Sequence, residues 1–496
     1  MNDIIIDVGV NQDRVAILEN KDLVEFYIER GDNKRVLGNI YKGRVVNVLP
    51  GMQAAFVDIG LEKNAFLYVK DAIPKDIMDN KDINLKDISI KDVVKQGQDI
   101  IVQVVKEPFG TKGARITTHI TLPGRYLVLM PFTDYVGISR RITEDEERER
   151  LKGLAEEIKV NNMGIILRTA AEEKSKKDLR DDLNFLLKVY YKIENERNLG
   201  FAPRIIYKDL DLVQRTVRDL FTKDTNKLII NDKEKYNSLI DLVDLISPHL
   251  KSRVELYENS HNVLVEYGIE RKINEALERK VWLKSGGYII IDETEALTSI
   301  DINTGKFVGS VDLEHTVVRT NLEAAKEIAK QLRLRNIGGI IIIDFIDMNN
   351  QADDKLVLKT LEKELKKDRT RSTILGMTQL GLVEMTRKKN RKRLSSKMLR
   401  DCPCCSGTGK VYSEHTLIKK IENEIKRINI HTNIETVEFL LNPFNCDILE
   451  DKYSDYLISL KEKYSIELYI KGDSSINLND MKVKKMGKIK DKKNNI

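Results

Sequence analysis

The stretch Gly286-Gly-Tyr-Ile-Ile-Ile-Asp-Glu-Thr-Glu-Ala-Leu-Thr-Ser-Ile-Asp-Ile-Asn303 reads as two strands around an acidic turn. Downstream, residues 313–336 carry apolar side chains at Val317, Leu322, Ala325, Ile328, Ala329 and Leu332, the spacing of one helix face, and Gly338-Gly339 ends the pattern. Ile340-Ile-Ile-Ile-Asp344 follows, an apolar run uniform enough to predict a strand buried on both faces. A strand, a helix and a second strand in this order predict a unit that sets the two strands side by side. Because side chains alternate along a strand, Asp301 and Asn303 share one face and Ile300 and Ile302 the other. Asp344, at the carboxyl end of its strand, then converges with Asp301. Two such carboxylates repel unless one holds a proton or a cation lies between them. Mg²⁺ suits the pair, since it takes one or two carboxylates and keeps waters for phosphate oxygens. The same spacing also suits a turn cap at Asp301 and a helix cap at Asp344 or Asp347. Asp292, expected in the hairpin turn, is a competing acid of ordinary turn type.

Outward from this region, Ile4–Glu29 predicts a β-hairpin broken at residues 11–13, and residues 38–118 hold short strands around glycine-punctuated loops, the pattern of a small OB-type barrel. The Lys-Asp pairs of residues 74–95 predict an exposed insertion. Residues 121–215 read as mixed α and β, with helices at 144–159 and 176–197 and strands at 126–131 and 164–169. Residues 210–278 read as mostly helical, with a short strand at 228–231. Residues 415–470 form a smaller α/β unit, and the last 25 or so residues look disordered.

The chain has 496 residues, which suggests about three domains at roughly 150 residues each. With 41% hydrophobic and 33% charged residues it is a globular chain rather than a membrane or wholly disordered one. No apolar run approaches the ~20 residues of a spanning helix, and the N-terminus lacks a secretory pattern; a cytoplasmic location is expected. Net charge is only +6, from 84 Lys+Arg against 78 Asp+Glu. Six of the seven residues 387–393 are nonetheless cationic, as are seven lysines between Lys482 and Lys493. Such runs fit a solvated face and a polar tail, or attraction to a phosphate backbone. Cys402, Cys404 and Cys405 cluster while Cys446 stands alone, which favours metal binding over a disulfide scaffold.

Taken together, Ser299-Ile-Asp-Ile-Asn303, Thr320-Asn-Leu-Glu-Ala-Ala325, Gln331-Leu-Arg-Leu-Arg335, Gly339-Ile-Ile-Ile-Ile-Asp-Phe-Ile-Asp-Met348 and Cys402-Pro-Cys-Cys-Ser-Gly-Thr-Gly409 resemble the ribonuclease E/G family. The resemblance runs from Ile4 to about residue 412, and the layout is most similar to the ribonuclease G type. It implies a multidomain α/β and α+β fold. An RNase H-like part (1–35 and 216–278) would be interrupted by an S1 RNA-binding domain, an OB-fold β-barrel (36–118), and a 5′-sensor (119–215). A DNase I-like catalytic α/β subdomain (279–400), a zinc-link (401–414), a small C-terminal α/β domain (415–475) and a Lys-rich tail (476–496) would follow.

The resemblance further implies a Mg²⁺-dependent endoribonuclease acting on single-stranded RNA, with Asp301 and Asp344 holding one Mg²⁺ per subunit and Asn303 supporting them. Hydrolysis would leave 5′-phosphate and 3′-hydroxyl ends, at AU-rich sites, in mRNA decay and rRNA and tRNA processing. Phe56, Phe66 and Lys112 match the S1-type RNA contacts; aromatic faces grip any single strand at ~1–3 kcal/mol per base. By residue type alone, core packing is favoured for at least one of the two phenylalanines. Arg168 and Thr169, with Gly124, Val128, Arg140 and Arg371, match the pocket for a terminal 5′-monophosphate, which a guanidinium fork suits. Cys402 and Cys405 match a zinc ligand pair completed by the same pair of a second protomer, giving a homodimer and leaving tetramers open. Cys404 departs from the family pattern, and a rival set within one chain is Cys402, Cys404, Cys405 and His415. A non-catalytic S1-type RNA-binding assembly factor is the alternative function, and degradosome-type partner enzymes are not specified by the sequence.

Overall fold

The structure, a computed structural model, describes residues 2–31, 35–73, 88–108, 112–160, 162–305, 313–378 and 380–487. The chain divides into two compact units, Met1–Lys397 and Met398–Ile496. Among the described residues, four sheets lie in the first unit and one in the second.

The first sheet runs Val254–Leu256, Thr225–Ile230, Asn2–Val8, Gln12–Glu19, Asp22–Arg30. Its N-terminal part is a three-stranded meander, not the single hairpin expected. Asn20 and Lys21 both take positive φ, 51° and 70°, forming the two-residue turn whose twist suits a tight hairpin. No glycine marked that turn. Thr225–Ile230 returns to pair parallel with Asn2–Val8, so the sheet is closed by residues from far along the chain. Val254–Leu256 was not anticipated.

A closed barrel follows, built from Ile40–Leu49, Ala54–Asp58, Ala65–Tyr68, Arg115–Thr117 and Asp99–Lys106, the last strand pairing back onto the first. Val45, Val57, Leu67, Val102 and Ile116 fill it. Gly113 lets the chain pass close to the next strand: a Cβ there would lie 2.0 Å from the Asn64 carbonyl oxygen. Of the expected insertion, residues 74–87 lie outside the described residues. Ile90–Val93 is a short helix, and Ile90 is fully buried against the barrel, so this end is not exposed.

The third sheet, Val136–Ile138, Gly164–Leu167, Leu127–Met130, Leu122–Pro123, packs on helices Asp145–Ile158 and Lys176–Arg197. The second of these starts at a reciprocal cap between Ser175 and Asp178.

The fourth sheet has the order Lys280–Trp282, Tyr288–Glu293, Leu297–Asn303, Gly339–Asp344, Leu382–Arg387, Ser372–Met377. Helices Leu313–Leu334 and Gln351–Leu365 share one core with Ile289, Ile300, Ile302, Ile341, Ile343 and Val383. That core takes only one face of the sheet. Ile341 and Ile343 are fully buried while Ile340 is 52% exposed, so the isoleucine strand is not covered on both sides as expected. Among the described residues, both helices pack on the same side, and Asp301 and Ile340 on the other side are exposed.

In the second unit, Glu467–Gly472, Thr436–Leu441 and Lys482–Gly487 form a sheet packed on helices Glu414–His431 and Pro443–Tyr464. Residues 476–487 are therefore ordered, contrary to expectation: Ile476 is buried, and Val483 packs on the core between lysines. Residues 488–496 lie outside the described residues. Among the described residues, no helix is long and apolar enough to cross a membrane.

Candidate active site

The open face of the fourth sheet carries the two acids. Leu297–Asn303 and Gly339–Asp344 pair in parallel with Asp301 directly opposite Asp344, and both side chains are exposed. The inward Ile300, Ile302, Ile341 and Ile343 anchor the register; a slip of one residue would bury the acids. Asn303 Nδ2 donates to Asp301 Oδ2 at 2.8 Å, fixing that carboxylate's orientation. Desolvation, then the charges of Asp301 and Asp347, hold the Asp344 carboxyl above the usual carboxylate range. Such a pair is short of positive charge. Asp292 sits on a strand rather than in the turn, and the Arg279 guanidinium holds its carboxyl below the usual range; it does not compete. Among the described residues no group of three or more His, Cys, Asp or Glu could hold a metal ion. Two carboxylates suffice for Mg²⁺, which retains waters on its remaining positions.

Two supports were not anticipated. Asn321, fully buried on helix Leu313–Leu334, donates from Nδ2 to the Ile346 carbonyl (2.8 Å) and accepts from the Ile346 N–H (3.1 Å), clamping the segment after Asp344. A polar residue on the apolar helix stripe was the available signal. Gly287 is required where the hairpin meets Asn303, because a Cβ would lie 2.8 Å from the Asn303 carbonyl oxygen.

On the barrel, Phe56 and Phe66 face each other across adjacent strands with ring centroids 5.8 Å apart, and Tyr68 extends the cluster at 5.9 Å. Both phenylalanines are half-buried and alternate with the buried Ala55, Val57, Ala65 and Leu67. They lie on the outer surface, so the expectation of core packing does not hold. Lys112 is exposed.

Around the third sheet, Arg168 donates to the Gly124 carbonyl and to Asp219 Oδ1 (2.8 Å), and Thr169 Oγ1 meets Ser139 Oγ at 3.0 Å. Arg140 follows Ser139 and lines a cleft with Arg148 and Lys152. Val128 pairs with Ile166, two residues before Arg168. Burial would raise the Asp219 carboxyl, but Arg218 and Arg168 together hold it below the usual range. Asp219 was not foreseen; its partner lies 51 residues away. Arg371 is exposed beside Ser372–Met377 in the fourth sheet, and among the described residues no hydrogen bond joins it to the Arg168 group.

Much of the basic run has structural partners. Arg387 is buried against Asp368 (2.7 Å), Arg391 stacks on Tyr27 (4.1 Å) and Arg393 meets Glu293 (3.1 Å), while Lys388, Lys389 and Lys392 remain exposed. In the second unit, the backbone N–H groups of Cys404 and Cys405 hold the Cys402 thiol below its usual range. Gly409 N donates to Cys405 Sγ at 3.3 Å. Cys404 lacks this support and is pushed up by the Cys402 charge. His415 stands edge-on to Tyr453 (5.3 Å), and the rival one-chain ligand set is not assembled among the described residues.

The fold and site define a multidomain α/β protein with a closed β-barrel and paired acids on an open sheet face. The sequence model of the ribonuclease E/G family matches residues 121–390. The chain is similar to ribonuclease G of Salmonella typhimurium, 46% identical over 429 residues that cover 86% of this chain and 88% of that protein. Similarity to ribonuclease G of Haemophilus influenzae is 46% over 428 residues, covering 86% and 87%. To ribonuclease E of a Nostoc species it is 40% over 400 residues, covering 79% of this chain and 57% of that protein. The chain belongs to the ribonuclease E/G family.

Proposed function

We propose that this chain, an endoribonuclease of the ribonuclease E/G family, hydrolyses single-stranded RNA with Mg²⁺ held by Asp301 and Asp344. The observation that carries the reading is the in-register pairing of these two acids on the open sheet face, with Asn303 hydrogen-bonded to Asp301. A hard oxygen-liganded cation fits this donor set and offsets the desolvation and the like charges that raise the Asp344 carboxyl. When bound, Mg²⁺ supplies charge neutralisation at the scissile phosphate and acidifies water. The chain's own residues orient the site: Asn303 fixes one Asp301 oxygen, and Asn321 holds the segment that follows Asp344. Products carry 5′-phosphate and 3′-hydroxyl ends, and the protein acts at AU-rich sites in cytoplasmic mRNA decay and in rRNA and tRNA processing.

The remaining assignments belong to the same reading. Residues 36–118 serve as an S1 domain, with Phe56, Phe66 and Lys112 holding single-stranded RNA; the surface position of both rings supports this. Residues 119–215 serve as the 5′-sensor, in which Arg168 and Thr169 bind the terminal monophosphate with Gly124, Val128 and Arg140 around them, and Arg371, exposed beside the fourth sheet, serves as a further contact for that RNA end. Residues 1–35 and 216–278 form the RNase H-like part, 279–400 the DNase I-like catalytic part, and 415–475 a small C-terminal domain. Cys402 and Cys405 bind zinc together with the same pair of a second copy, a closed four-thiolate site that is structural. Their backbone N–H partners fit thiolates. The test is cleavage of one RNA sequence bearing 5′-monophosphate or 5′-hydroxyl, by wild type and Asp301→Asn. Loss of cleavage in the variant with RNA binding intact is expected; Mg²⁺-dependent cleavage that survives both Asp301→Asn and Asp344→Asn overturns the site.

A further inference from the structure

The open face of the fourth sheet continues past the acids into an aromatic cluster that the reaction as described leaves unused. Tyr288 stands directly opposite Asn303, and Trp282 directly opposite Tyr288. Directly opposite residues share a face, so Trp282, Tyr288 and Asn303 form one row across three strands. In the next row Lys280 faces Ile290, Ile290 faces Asp301, and Asp301 faces Asp344. At ~4.8 Å per strand, the aromatic row begins roughly 5–10 Å from the acid strand.

Trp282 is 63% exposed, unusual for the largest side chain. Its ring meets Tyr288 edge-to-face at 5.4 Å, and the Lys280 ammonium lies 3.8 Å from the Trp282 centroid and 3.7 Å from that of Tyr288. Among the described residues no ion pair joins Lys280 to a carboxylate, and its ammonium rests on the two rings instead, on the side of the sheet where a polyanion would lie. The turn behind the cluster is rigid: Glu323 accepts from the N–H groups of Lys284 (2.6 Å) and Ser285 (3.2 Å), and Leu283 N donates to the Gly287 carbonyl at 2.8 Å. An exposed indole on a fixed hairpin, beside a cation that has no ion-pair partner among the described residues, is poorly explained by folding. It matches what single-stranded nucleic acid needs: a flat face for a base and a positive charge for the phosphate.

We propose that Lys280, Trp282 and Tyr288 form a substrate-positioning platform on which a base of the RNA strand next to the scissile linkage stacks, with Lys280 attracting its phosphate. The inference rests on the reading of Asp301 and Asp344 as the cleavage site. Holding one flanking nucleotide on the sheet sets the height and direction in which the linkage crosses the acids. Stacking reads no base edge, so the platform grips without choosing sequence.

Trp282 is the single tryptophan of the chain, so its emission reports this one place. The experiment titrates full-length Asp301→Asn protein with a short AU-rich oligoribonucleotide, following anisotropy of a 5′ fluorophore and tryptophan emission in parallel. Saturable quenching with the same midpoint as anisotropy is expected, abolished by an abasic substitution at a nucleotide flanking the cleaved linkage. Anisotropy that saturates while emission stays constant, or quenching indifferent to every abasic position, overturns the platform. In otherwise wild-type protein, Trp282→Ala should lower kcat/KM about 5- to 150-fold, the range one stacked base supplies, with Trp282→Tyr recovering most of it. Wild-type kinetics in a folded Trp282→Ala variant also overturn it. Failure of the acid assignment would show separately, as cleavage of the oligonucleotide by the Asp301→Asn protein, while the quenching still reports on the platform.

Discussion

Replacing Asp301 by Asn should make the metal-free protein slightly more stable while removing its activity. Asp301 and Asp344 face each other on adjacent strands, a spacing of ~4.8 Å. Two unit charges at about 5 Å repel by roughly 3 kcal/mol at an effective dielectric constant of 20. Both side chains are open to solvent, which screens the interaction to the range of directly opposed like charges on a sheet, about 0.2–1 kcal/mol. Asn keeps the shape and still accepts from Asn303, so little else is lost. Without divalent ions, Asp301→Asn should melt up to about 3 °C above wild type. Mg²⁺ at 100 times its dissociation constant should stabilise wild type by about 2.7 kcal/mol and the variant hardly at all. Cleavage should fall about 10²–10³-fold, the scale of losing a principal charge-stabilising group. Thermal melts with and without Mg²⁺, paired with an oligonucleotide cleavage assay, read all three. A variant that is less stable than wild type without Mg²⁺, yet gains the same stabilisation from it, would refute the reasoning.

Other consequences are more local. Arg168→Ala should abolish the preference for 5′-monophosphate over 5′-hydroxyl RNA with internal cleavage retained, as measured on matched substrates; an unchanged preference removes that role. Cys402→Ser should release zinc and convert dimers to monomers in sedimentation experiments, whereas Cys404→Ser should do neither. Asn321→Leu leaves the half-buried Ile346 N–H and carbonyl without this partner, at a cost of at most about 1–3 kcal/mol per group, the penalty for full burial; denaturant unfolding measures it. Lys419 and Lys463 hold the Glu422 carboxyl at about 2, below its ordinary 4.5. The folded form therefore keeps the charge that the unfolded chain loses first, and this stabilisation is complete above about 4.5 and lost as pH falls toward 2. Glu422→Gln should flatten that part of the acid unfolding curve, followed by circular dichroism.

How much was legible depended on whether a pattern was local. The period of two in Ser299-Ile-Asp-Ile-Asn303 was enough to put Asp301 and Asn303 on one face. Ile340–Ile343 carries no alternation, so nothing in it could tell which side helices would cover. Lys482–Gly487 hid Val483 among lysines, and composition outweighed alternation. Residue type favoured core packing for at least one of Phe56 and Phe66 because phenylalanine is among the side chains most often buried, and only the barrel's pairing puts both on its outer wall. The Arg168–Asp219 and Asn321–Ile346 contacts were beyond reach because no periodicity links such distant residues.

The amino-acid order alone determined many of the helices and strands, though not the third N-terminal strand, Val254–Leu256 or Lys482–Gly487, and which neighbours share a strand face, since these follow from short-range backbone geometry and side-chain alternation. It also carried the motifs by which the family is recognised. Tertiary structure alone decided that Asp301 meets Asp344 in register, that both helices settle on one side of their sheet, and that Trp282 and Lys280 share the uncovered side with the acids. Those outcomes depend on how apolar surfaces far apart in the chain are buried together, and no single segment encodes them.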